Sequence, residues 1–140
     1  MAGMRIGYAI ASPLLIKYLN DAKYSFNSYT MNKTSLVYGV EAVKDKEYFA
    51  ETTRKIVETR DWAEEEFKKL GFVFPKPSAN FISVSHPEYD AKELFEAMKA
   101  KGIYVRVWGS ERIEQYLRVT IGTREEMEAL FAFLRKYMKK

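Results

Sequence analysis

Three arginines sit in strand-like, apolar runs where a charged side chain has to be accounted for. Arg118 lies between Leu117 and Val119 in "YLRVTIG", Arg106 between Val105 and Val107 in "IYVRVW", and Arg5 opens "RIGYAIAS". A guanidinium presents five N–H donors in a rigid planar fork, matches a carboxylate or phosphate bidentately, and stays charged at any working pH. Side chains alternate between the two faces of a strand, so the plainest role for Arg106 and Arg118 is a solvated outer face. Their strands are consecutive, however, and if they pair as a hairpin the two guanidiniums approach one another. Two such forks side by side repel unless an anion lies between them, which makes the pair a candidate anion clamp.

The other chemistry-bearing residue types offer less. His86, the sole histidine, stands in the polar turn "SVSHPEYD" and reads as a surface turn residue rather than a base or ligand. A single histidine cannot assemble a metal site with so few convergent partners, and the chain has no cysteine to supply a thiolate, a disulfide or a nucleophile. The acid clusters Glu64–Glu66 and Glu125–Glu126 fall on helical faces, where carboxylates are solvated or paired with a lysine one turn away. No residue is assigned as catalytic and none as a metal ligand.

The elements that must position the arginines can be read along the 140 residues. A hydrophobic fraction of 47% with 30% charged residues excludes a disordered chain, and no apolar run approaches a membrane span. The start "MAGMRIGYAIAS" lacks a secretory pattern, and the cytoplasm is the expected compartment. The net charge of +4 is spread out: acids and bases alternate from Glu41 to Glu66, and "RKYMKK" is the one basic cluster. "FVFPKPSANFISV" interleaves aromatics with Lys76 alone, so a nucleic-acid surface is not expected.

"RIGYAIA" predicts a strand over 5–11, and Ser12-Pro13 opens a helix over 13–22. "KYSFNSYTMNKTS" has no apolar period and reads as a loop. From Leu36 to Leu70 the apolar positions recur at helical spacing, with a break around Asp45–Glu47 and a stop at Gly71. "FVFPKPSANFISVSHP" predicts two short strands around a proline-rich corner. A helix capped by Asp90 runs to Gly102, the strands "IYVRVW" and "YLRVTIG" follow, and Thr123 with Glu126 forms a capping box for the last helix. The fold class is α/β, with an α+β lobe at the C-terminal end. The first strand and helix are set apart by the long helical stretch, which suggests three parts: 1–35, 36–70 and 71–140.

Several motifs together resemble the fold type I pyridoxal-phosphate aminotransferases. "MAGMRIGYAIAS" is similar to the segment after the cofactor-holding lysine of that family. "SANFISV", "KGIYVRVWG" and "YLRVTIGTREEMEALFAFL" resemble the C-terminal lobe of its histidinol-phosphate branch. The resemblance implies that 1–35 is a remnant of the large cofactor-binding domain, 36–70 the connecting helices and 71–140 the small domain. It implies that Arg5 binds the cofactor phosphate, that Arg118 binds the acid group of the substrate, and that Arg106 helps to hold the substrate phosphate. Asn27, in "SFNSY", is similar to an asparagine in a loop near the subunit boundary and is implied to be substrate-binding. The implied reaction is amino transfer between glutamate and imidazole-acetol phosphate, on an amino-acid or amino-alcohol phosphate substrate, in a homodimer. Related aspartate, aromatic and decarboxylating branches share most of these motifs, and a free-standing, non-catalytic α/β interaction module is the alternative. The lysine would lie just upstream of Met1, so the chain alone is expected to be inactive and to hold no cofactor covalently.

Overall fold

A computed structural model describes residues 2–139. The chain divides into two compact units, Met1–Ala50 and Glu51–Lys140.

In the first unit a short 3-10 turn, Ala2–Met4, precedes α1 (Pro13–Phe26) and α2 (Lys33–Lys44). Ser12 caps α1 by accepting from the Leu15 N–H, and proline fills the first helical position, where its missing donor has no partner to lose. The helix continues four residues beyond the predicted end at 22. It stops at Asn27, where the backbone swings out to φ −153° while the Asn27 N–H still donates to the Lys23 carbonyl at 2.7 Å. Asn32 then caps α2, its side-chain oxygen accepting from the Ser35 N–H at 2.7 Å. The stretch read as a loop over 23–35 thus supplies the last turn of one helix and the first of the next. Its polar residues serve as caps, which is why it shows no apolar period.

The strand predicted over 5–11 is not formed: residues 6–12 have no regular structure, and Tyr8 and Ile10 are 88% and 89% exposed. A strand exists only through a ladder with a neighbour, and no described residue pairs with this segment.

Helix α3 (Lys46–Lys69) begins directly after the Asp45 cap of α2, at the break expected there. Gly71 ends it with φ +81°, a conformation costly for a side-chain-bearing residue, and the Phe72 N–H closes back onto the Phe67 carbonyl at 3.1 Å. In the second unit, β1 (Phe81–Val84) pairs antiparallel with β2 (Leu117–Thr120), with Ser83 opposite Arg118. Single bridges extend the sheet at both sides, Val73 to Ser85 and Arg106 to Arg118. The two further strands predicted from sequence shrink to these bridges. Pro75 and Pro77 have no N–H to donate, and the segment around Arg106 is an edge that meets β2 at one residue pair.

The sheet is two-sided. Ile82, Val84, Leu117 and Val119 enter a core with Ala63 and Phe67 of α3, Leu94 and Met98 of α4 (Ala91–Lys99), and Met127, Leu130, Phe131 and Leu134 of α5 (Arg124–Tyr137). Phe67 and Phe131 meet edge to face with centroids 4.8 Å apart. The alternate residues Phe81, Ser83, Arg118 and Thr120 are left on the opposite face.

The last helix starts on the expected capping box: Thr123 Oγ1 accepts from the Glu126 N–H at 3.3 Å, and the Glu126 carboxylate accepts from the Thr123 N–H at 2.7 Å. Gly122 makes room for that carboxylate, because a Cβ there would collide with Glu126 Oε2.

Candidate functional site

Arg106 and Arg118 are brought together. They form one hydrogen-bonded antiparallel pair, with the Arg106 N–H donating to the Arg118 carbonyl at 3.0 Å and the Arg118 N–H donating back at 2.8 Å. In such a pair the Cα atoms are about 5.5 Å apart and the side chains leave the same face. The row Ser83–Arg118–Arg106 therefore crosses the sheet on the side away from the core.

Two aromatic residues that the sequence reading passed over complete this surface. The Arg118 guanidinium carbon is 5.2 Å from the centroid of Phe81 and 5.2 Å from that of Trp108. Arg106 shares the second ring, at 5.8 Å. The signal for them was available: Trp108 follows Arg106 by two residues and Phe81 precedes Ser83 by two, so period-2 alternation returns both rings to the arginine face.

Four other arginines reach acceptors within the chain, although the Arg60 Nε is itself buried without a partner. Arg54, Arg124 and Arg135 each reach a carboxylate, on Glu58, Glu128 and Glu66 respectively. Arg60 donates to the Ala79 carbonyl at 3.2 Å and pairs with Asp61. Among the described residues neither Arg106 nor Arg118 forms an ion pair, and the Arg118 Nε is sealed from solvent without a hydrogen-bond partner. A buried donor left unpaired costs roughly 1–3 kcal/mol. Two like charges held near one ring also repel, though the exposure of Arg106 screens that repulsion. An anion with at least two acceptor oxygens, seated between the forks, would relieve both costs.

Arg5 and Asn27 belong to the first unit. Arg5 is exposed in the turn after the 3-10 segment, at φ +58°. The Asn27 side chain accepts from the Tyr29 N–H at 3.2 Å, a local turn contact.

His86 is not a plain surface residue. It is half-buried between Phe72 and Tyr89, with Nε2 3.0 Å from the Leu70 carbonyl at the end of α3, while Nδ1 accepts from the Glu88 N–H at 3.1 Å. An accepting Nδ1 puts the proton of the neutral ring on Nε2, which donates to Leu70: the ring ties the end of α3 to the 85–89 turn. Glu66, one of the acids read as a helix-face carboxylate, is buried and bridges Lys69 and Arg135. The Lys69 hydrogen bond, aided by Arg135, holds its carboxyl below the usual glutamate range against the opposing effect of burial. Among the described residues no group of three or more metal-ligating side chains occurs and no helix is long and apolar enough to cross a membrane.

The profile of the aminotransferases of class I and II matches residues 1–134. A histidinol-phosphate aminotransferase of Clostridium botulinum is 44% identical over 140 residues, all of this chain and 40% of its own length. One from Brachyspira hyodysenteriae is 45% identical over the same span, 39% of its length. The chain thus spans about two-fifths of the curated relatives it matches. Among solved structures, histidinol-phosphate aminotransferase from Sinorhizobium meliloti, in complex with pyridoxal-5'-phosphate, superposes with a TM-score of 0.83. It is 24% identical, with 99% of this chain and 38% of that one covered. Aspartate aminotransferase from Thermotoga maritima gives 0.82 at 16% identity, covering 100% and 37%.

Proposed function

Because the chain belongs to the class I and II aminotransferase family, we propose that it is the part of a histidinol-phosphate-type aminotransferase that binds the anionic ends of cofactor and substrate. The observation that carries this reading is the Arg106–Arg118 pair, two forks on one sheet row with no carboxylate partner among the described residues. Relatives named histidinol-phosphate aminotransferase at 44–45% identity support the substrate class, a phosphorylated amino alcohol or its keto form; glutamate as the amino donor is part of the same proposal.

In this reading Arg118 binds the acid group of the substrate through its η nitrogens, its Nε being sealed from solvent. Arg106 shares the same anion or takes the substrate phosphate beside it. Arg5 would hold the phosphate of pyridoxal phosphate, since its guanidinium is exposed and free of ion pairs among the described residues. Asn27 is the remaining substrate contact. The bound cofactor supplies an electron sink for the substrate α-carbon. No proton-transfer role is assigned to any residue of this chain, which serves to orient and neutralise charge.

The division into a large-domain remnant over 1–35, connecting helices over 36–70 and a small domain over 71–140 belongs to the same proposal. So do a cytoplasmic location and a homodimer, the latter supported by the exposed apolar side chains of the first unit such as Leu14, Tyr18, Leu36 and Val40.

Titration calorimetry of the chain with histidinol phosphate tests the reading. Binding should be weakened at least tenfold by Arg118→Ala, and histidinol, which lacks the phosphate, should not compete. Equal affinity for Arg118→Ala and the parent chain would remove the arginine pair from the site.

A further inference from the structure

We propose that Trp108 is the positioning residue of the arginine pair: one indole ring holds both guanidiniums and, with Phe81, fixes the plane of Arg118 before an anion arrives. The inference rests on the anion-clamp reading for its purpose, but not for its geometry.

Three observations carry it. Both guanidiniums lie within reach of the same ring, Arg118 at 5.2 Å and Arg106 at 5.8 Å from its centroid. The negative face of an indole attracts a cation at such distances, and tryptophan does so better than any other side chain. A single ring serving two like charges offsets part of the repulsion that would otherwise drive the forks apart. Second, Phe81 takes the other side of Arg118, also at 5.2 Å. The register explains the bracket: Phe81 stands in the Thr120 row, and Trp108 lies two residues past Arg106 in the opposite direction along the sheet. Third, the Arg118 Nε is closed off from solvent yet bonded to nothing among the described residues. A guanidinium stacked between rings on a flexible stem would ordinarily turn Nε toward water or a carbonyl. Here the rings hold it where only the outer nitrogens remain free, the state a bidentate acceptor needs.

A purely packing role for Trp108 is the competing account, since it also lines a cavity together with Asp90, Phe95 and Gln115. The two accounts separate on what happens when the π face is lost and the apolar bulk is kept. Leucine keeps bulk without a π face; phenylalanine keeps both in smaller form.

The experiment is side-chain Nε–H spectroscopy on the 15N-labelled chain, with and without inorganic phosphate, for the parent and for Trp108→Phe, Trp108→Leu and Phe81→Leu. In the parent, the Arg118 Nε–H signal should be shifted upfield by the two rings and should exchange slowly. Trp108→Leu should move that signal toward the position of the other arginines and weaken phosphate binding about tenfold, while Trp108→Phe stays within about threefold of the parent. Phe81→Leu should remove part of the shift and leave the Arg106 signal in place, which keeps the test open if Trp108→Leu does not fold. An Arg118 signal and a phosphate affinity both unmoved in Trp108→Leu would overturn the proposal. If the parent binds no phosphate but the Arg118 signal still depends on Trp108, the positioning role stands and the clamp reading falls. If phosphate binds and Arg118→Ala abolishes binding, but Trp108→Leu does not move the signal, the clamp stands and the positioning role is wrong.

Discussion

The first unit is the richer of the two in apolar residues, yet it is the second that buries them. Among the described residues, all fifteen buried hydrophobic side chains lie beyond Ala50, whereas sixteen of the nineteen large exposed ones lie before it. Among the described residues of the first unit, Ser35 alone is buried. Both units have well-capped helices, so the difference is not one of local propensity. Capping and helical spacing are satisfied within a dozen residues, but a core needs several elements to converge, and only the second unit contains the sheet and helices that do so.

The sharpest way to break that contrast is a pair of truncations. Phe131→Ala removes a fully buried ring that meets both Trp62 and Phe67, and should cost about 3–5 kcal/mol in urea unfolding of the chain. Leu14→Ala, at a side chain 60% exposed, should cost under about 0.5 kcal/mol. Equal costs would mean that the first unit has a core after all.

Hydrogen exchange reads the same contrast without mutation. Amides of Leu117–Thr120, sheet-bonded over a buried face, should exchange at least a hundredfold more slowly, relative to their unfolded rates, than those of residues 6–12; roughly 3 kcal/mol of local stability separates the two. Comparable protection would show that 6–12 finds a strand partner in solution.

Glu66 sharpens the picture inside the second unit. Its carboxyl is held below the usual range by Lys69 and Arg135, so its contribution is fully present above the unfolded value of about 4.3 and is lost as pH falls through the lower folded value. Glu66→Gln should cost about 1–2 kcal/mol at pH 7, with the difference from the parent shrinking below about pH 4. A difference that persisted in acid would assign the effect to packing instead.

The smallest expected effect is at Gly122. A methyl group there would displace the Glu126 carboxylate from the Thr123 N–H, so Gly122→Ala should cost about 1 kcal/mol, as for the loss of a cap. Thermal unfolding would check it, and Gly122→Ala combined with Glu126→Ala should cost no more than Glu126→Ala alone.

Much of this organisation was legible in the residues. The caps at Ser12, Asp90 and Thr123 and the break at Asp45 are local patterns with local causes, and each stands where the sequence puts it. The juxtaposition of Arg106 and Arg118 was legible too, because consecutive strands of period two leave few other pairings. What escaped depended on long-range partners. His86 reads as a turn residue until Leu70, sixteen positions earlier, is known to be its acceptor. The segment 5–11 reads as a strand from its apolar, β-branched residues, but a strand also needs a neighbour, and none is formed here among the described residues. Phe81 and Trp108 were visible as aromatics, but their place beside Arg118 follows only from the register that joins three separate segments.

That register has a consequence for how mutations can reach the clamp. Because side chains alternate, sliding β2 by one residue against β1 would turn Arg118 toward Phe67 and Phe131 and expose Leu117 and Val119 to water. Burying an unpaired guanidinium costs on the order of several kcal/mol, a large share of a domain's margin of stability. The apolar half of the sheet therefore proofreads the polar half: any misalignment that would scatter the arginines is rejected as a folding error before it can become a binding defect. Substitutions at Ile82 or Val119, which no ligand would touch, should accordingly lower the amount of folded protein and leave the affinity of the surviving molecules unchanged.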